Sequence, residues 1–95
     1  MLSKLTEVIE DRKHNPQPGS YTSQLFSQGE DAILKKVGEE AMEVILAAKG
    51  QGKQRLLEEV ADLLYHTLVL LSSQDLSLAD VESELSRRHI LRKAE

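Results

Sequence analysis

Residues 29–49 and residues 53–73 both carry the apolar periodicity of an amphipathic helix, and only Gly50-Gln51-Gly52 separates them. A connection that short leaves one arrangement open. The two helices turn back on each other and lie antiparallel as neighbours. Residues equidistant from the turn then share a height. Whatever else this chain builds must be fitted around that helical hairpin.

The rest of the chain also reads as helix. Residues 2–13 place Leu2, Leu5, Val8 and Ile9 on one side, and the proline- and glycine-bearing stretch "NPQPGS" ends that segment. Ser20 caps a short helix, "YTSQLFSQ", and Ser27 with Glu30 has the form of a capping box opening the first long helix. "SSQDLS" is the next break, and Ser77 with Asp80 opens a last helix over "LADVESELSRRHILRK", with a frayed tail after about residue 90. Period-two alternation and hairpin-turn dipeptides are missing. The expected fold class is all-α, one domain over residues 1–95.

At about 100° per residue, Ile33, Val37, Ala41, Val44, Ile45 and Ala48 form one apolar face, and Leu56, Val60, Leu63, Leu64, Thr67, Leu70 and Leu71 form the other. Tyr65, Leu68 and Val69 add apolar surface on a further side of the second long helix. We read that surface as buried against another subunit, two hairpins pairing into a four-helix-bundle-like core; contact with the first or last helix is the alternative. A 95-residue chain with no cysteine has a thin core and no disulfide to reinforce it, which favours a homodimer.

The acids fall in a pattern. Glu39, Glu40 and Glu43 flank the apolar face of the first long helix; Glu58, Glu59 and Asp62 flank that of the second. A purely solvated stripe would lie opposite the core. Glu43 and Glu59 are each eight residues from Gln51, and Glu40 and Asp62 are each eleven. The hairpin therefore brings Glu40, Glu43, Glu59 and Asp62 together. Four crowded carboxylates repel unless a cation sits among them. All-oxygen donors suit a hard ion, Mg²⁺, Mn²⁺ or Ca²⁺, and Mg²⁺ typically keeps several waters and binds substrate phosphates as well, so we expect a Mg²⁺ site ready for a phosphorylated ligand. A single E-x-x-E or E-x-x-D is more often surface than site; the mirrored pair is the informative feature.

Neighbouring residues are less decisive. Lys36 either holds a substrate phosphate or forms an ordinary helix-surface ion pair, with Lys35 beside it. His66, four residues after Asp62, reads as a neutral, hydrogen-bonded histidine near the core rather than a metal ligand. "GQGK" at 50–53 follows a helix and lacks the hydroxyl residue of a phosphate loop, so it is a turn.

Twelve basic against 16 acidic side chains, a net charge of −4, argue against a nucleic-acid binder. The longest apolar run, Leu68 to Leu71, is far short of the ~20 residues that span a bilayer. The N-terminus does not resemble a signal peptide. The absence of cysteine fits a cytoplasmic location.

"GEEAMEV" followed by "EEVADLLYH" resembles the E-x-x-E…E-x-x-D signature of the MazG-like all-α nucleoside triphosphate pyrophosphohydrolases. The longer stretches over residues 20–49 and 59–71 are similar to the phosphoribosyl-ATP pyrophosphohydrolase family, and the likeness covers roughly residues 5–90. That resemblance implies a Mg²⁺-dependent, cytoplasmic homodimer. It would cleave the α–β phosphoanhydride of 1-(5-phosphoribosyl)-ATP, the second step of histidine biosynthesis, in a form without the fused cyclohydrolase. It implies Glu40, Glu43, Glu59 and Asp62 as metal ligands. Beside them we expect Glu39 to orient water, Lys36 and Lys35 to offset phosphate charge, and Tyr21, Thr22 and Ser23 to line the pocket. Two other readings stand: a house-cleaning enzyme acting on noncanonical nucleoside triphosphates or dUTP, and a non-catalytic dimerisation module. The last gives no reason for the mirrored acids.

Overall fold

A computed structural model describes residues 1–88 as five α-helices: α1 (Leu2–His14), α2 (Tyr21–Gln28), α3 (Glu30–Gly50), α4 (Lys53–Ser73) and α5 (Leu78–Arg87), with no strand among the described residues. The expected run of α5 toward residue 93 and the fraying after about residue 90 lie outside the described residues. Among the described residues, no helix is long and apolar enough to cross a membrane.

α3 and α4 pair as the antiparallel hairpin, joined by Gln51 and Gly52 alone. Gly52 sits at φ +91°, ψ 161°, and Gly29, the joint between α2 and α3, at φ +98°, ψ 179°. That backbone region is open essentially to glycine only. Both glycines turn the chain in one residue and let the next helix begin at once.

The helix starts follow the capping residues in two places and depart from them in a third. The Ser20 hydroxyl accepts the Ser23 N–H at 3.1 Å, and Ser77 and Asp80 form a reciprocal capping box. Ser27 caps nothing. α2 runs on through Gln28, so Ser27 holds helical backbone, whereas a cap needs extended backbone. Gly29 opens α3, and Glu30 accepts a hydrogen bond from Gln74 Nε2 at 2.7 Å.

The core lies where α1 and α2 close over the hairpin. Ile9, Leu25, Ile33, Leu68 and Val69 are its buried centre, with Leu5, Phe26, Tyr65, Leu70, Leu71 and Leu78 packed around them. This corrects the assignment of Tyr65, Leu68 and Val69 to a subunit contact: Leu68 is 4% exposed and Val69 0% within one chain. Ile45, Val60 and Leu64, expected on the inner faces, stand exposed together with Met42, Leu46 and Leu57. The hairpin is apolar on more sides than one chain can cover, and α1 and α2 take the side bearing Leu68 and Val69.

Polar contacts fasten α1 to the end of α4. Lys13 Nζ donates to the Ser72 carbonyl at 2.6 Å and to Asp75 Oδ1 at 2.8 Å, and Ser72 Oγ donates to Glu10 at 2.6 Å.

Candidate functional site

Lys36, Glu39, Glu40, Met42 and Glu43 from α3 face Arg55, Glu59 and Asp62 from α4 across an open cleft of about 550 Å³. At its floor, one carboxylate oxygen each of Glu40, Glu59 and Asp62 lie within 4.8 Å of one another. Glu59 is 3% exposed, and the Glu40 side chain is 13% exposed.

Equal distance from the turn paired Glu43 with Glu59 and Glu40 with Asp62. In the structure Glu40 meets Asp62 as that pairing has it, Glu59 joins both, and Glu43 lines the cleft outside the tight group. Azimuth decides this. Glu40 and Glu59 are the acids nearest the apolar face of each helix, so they turn furthest into the interface. Their long side chains span the difference in height.

The electrostatics follow from that crowding. Burial pushes the Glu59 carboxyl above its ordinary range; the Arg55 guanidinium, with Nη2 at 2.6 Å, pulls it back, and Glu40 and Asp62 push it up again. Arg55 Nη1 also reaches Glu58 Oε1 at 3.0 Å and holds that carboxyl below its usual range, with Gln54 assisting. Lys36 Nζ lies 3.5 Å from Glu40 and 3.9 Å from Glu39. Burial works to lower the Lys36 pKa, but Tyr21, Glu40 and Glu39 together raise it.

Arg55 and Met42 are the cleft residues that sequence reasoning passed over, and Arg55 is the charged one. The signal for Arg55 was there: it precedes Glu58 by three and Glu59 by four, the spacings at which helical side chains meet.

The other expected residues are placed differently. His66 is buried, and its Nδ1 lies 2.7 Å from the Asp62 carbonyl. A carbonyl only accepts, so Nδ1 carries a proton and donates it there, while Nε2 lies 3.0 Å from the Tyr21 hydroxyl. Both ring nitrogens are thereby engaged. Tyr21 is half-exposed, while Thr22 and Ser23 are buried outside the cleft. Thr22 pairs with the Tyr65 hydroxyl; Ser23 Oγ accepts the Gln17 N–H at 3.0 Å. Lys35 is exposed and does not line the cleft.

An all-carboxylate donor set of this kind fits a hard divalent cation. A buried carboxylate already gripped by a guanidinium also indicates that the floor of the cleft calls for positive charge.

Comparisons with known proteins cover most of the chain. A family model described as phosphoribosyl-ATP pyrophosphohydrolase matches residues 2–89. The chain is 56% identical over 89 residues to a phosphoribosyl-ATP pyrophosphatase of Clostridium acetobutylicum, covering 94% of this chain and 81% of that protein. It is 52% identical over 85 residues to a phosphoribosyl-ATP pyrophosphatase of Bacillus cereus, covering 90% and 79%. It is 48% identical over 90 residues to the histidine biosynthesis bifunctional protein HisIE of Oceanobacillus iheyensis, covering 95% of this chain and 42% of that longer protein.

Proposed function

The chain belongs to the phosphoribosyl-ATP pyrophosphohydrolase family, and from that premise we propose that it hydrolyses 1-(5-phosphoribosyl)-ATP to 1-(5-phosphoribosyl)-AMP and pyrophosphate, the second step of histidine biosynthesis. The observation that carries the reading is the meeting of Glu40, Glu59 and Asp62 within 4.8 Å on facing helices.

Glu40, Glu59 and Asp62 would hold Mg²⁺, with Glu43 joining from the wall of the cleft. The ion, when bound, supplies charge neutralisation for the triphosphate and the departing pyrophosphate. Glu39, half-exposed beside Lys36, orients the attacking water and takes its proton. Water attacks phosphorus, the anhydride P–O bond breaks, and pyrophosphate leaves. Lys36, tethered to Glu39 and Glu40, steadies the phosphate charge as it builds. Lys35 adds positive potential at the approach. Tyr21 contacts the substrate from the rim, and the internal hydrogen bonds of Thr22 and Ser23 set its position.

The reaction is cytoplasmic in this reading, and the working form is a homodimer built by one domain per chain. Met42, Ile45 and Leu46 recur at i, i+3 and i+4 along α3; Leu57, Val60 and Leu64 recur at i, i+3 and i+7 along α4; all six are exposed. A second copy would cover them and complete the four-helix core. Met42 also lines the cleft, so the partner would border the site.

The test is pyrophosphate release from phosphoribosyl-ATP with and without Mg²⁺. Glu40→Gln should abolish turnover while leaving the helical circular dichroism spectrum intact; full activity in that variant refutes the metal assignment. Faster turnover of dUTP or dCTP than of phosphoribosyl-ATP would replace the substrate.

A further inference from the structure

Arg55 has no part in the chemistry set out above, yet it makes the shortest ion pair in the cleft. Its Nη2 lies 2.6 Å from Glu59 Oε1, and Glu59 is the most buried of the clustered carboxylates. We propose that Arg55 is a built-in counter-cation that competes with the divalent ion for Glu59 and so sets the metal concentration at which the site fills. The inference rests on the metal site proposed for Glu40, Glu59 and Asp62.

Three observations carry it. First, the carboxylate Arg55 grips is one of the three whose oxygens converge, so guanidinium and metal ion draw on the same donor. Both are cations, and their mutual repulsion keeps them from sharing the floor of the cleft. Second, the Arg55 side chain is 47% exposed, so the arm reaches in from solvent and can withdraw without opening the core. Third, a resting place is already occupied. Nη1 is 3.0 Å from Glu58 Oε1, and Glu58 lies outside the lining of the cleft. On metal entry the arm lets go of Glu59 and stays on Glu58. The swap exchanges one carboxylate partner for a divalent ion at Glu59 without stranding the guanidinium.

The experiment is calorimetric titration of the metal-free full-length chain with Mn²⁺, in the absence of substrate, at mildly alkaline pH. Arg55→Gln should bind Mn²⁺ about fivefold more tightly than the parent chain, equivalent to ~1 kcal/mol. Arg55→Lys, which keeps the charge but loses the fork that holds two carboxylates, should fall between them. A helix-stabilising role alone would lower the melting temperature and leave Mn²⁺ affinity unchanged. Unchanged or weaker Mn²⁺ binding in a helical Arg55→Gln protein therefore overturns the proposal and leaves the metal site standing. If neither parent nor variants bind Mn²⁺, the metal site falls, and this inference falls with it.

Discussion

Glu59 is 3% exposed, faces Glu40 and Asp62, and has Arg55 as its counter-charge. Its carboxyl is held above the ordinary value of 4.5, with burial the largest cause. A raised carboxyl pKa means that the metal-free fold binds the proton better than the unfolded chain does. Its contribution is complete below pH 4.5 and is lost as pH rises through the higher folded value. Glu59→Gln should therefore melt at or above the parent's temperature in EDTA at neutral pH, with the advantage vanishing below pH 4.5, and should release no pyrophosphate. Melting curves across pH check the first part and a turnover assay the second. At this scale much of the candidate site's geometry was legible in the sequence. Helical spacing and the mirror around Gln51 brought Glu40, Glu59 and Asp62 into one group, because both rest on fixed helix geometry. The mirror also drew Glu43 into the tight group, whereas Glu43 lines the wall of the cleft. Rotation of each helix about its own axis is set by packing, and that rotation put Glu43 to the side.

Among the elements, the joints carry the most information. α3 and α4 are separated by two residues, and Gly52 holds φ +91° in open surroundings. Gly52→Ala meets no neighbour, so its whole cost is backbone strain, of order 1–3 kcal/mol. Gly38 lies inside α3 with ordinary helical backbone, and a methyl group there would have no neighbouring atom within 4 Å. Gly38→Ala should therefore raise stability by roughly 0.5–1 kcal/mol through helix propensity. Urea denaturation of the two variants checks the opposite signs. The glycines, the prolines of residues 16–18 and the capping serines made the helix boundaries readable, because each acts within a few residues. Ser27 misled for the same reason: its local pattern fits a cap, but α2 continues through it to the Gly29 joint.

The described residues have a radius of gyration of 14.9 Å, against about 12 Å for a compact domain of that length. That openness and the bare stripes on α3 and α4 are what one half of the proposed dimer would present. Ile45→Glu combined with Leu57→Glu should yield a monomer by light scattering, with a lower melting temperature and no dependence of melting on protein concentration. A parent protein that is already monomeric would refute the pairing. The amino-acid sequence by itself determined the all-α class, the hairpin and the pool of carboxylates, because helical period, glycine stops and chain reach are local properties. Only the tertiary structure decided that Leu68 and Val69 belong to the chain's own core, that Val60 and Ile45 are left bare, and that Arg55 holds Glu59. The hairpin is apolar on several sides. Which side is buried depends on where α1 and α2 dock, and that competition is settled by packing the whole chain at once.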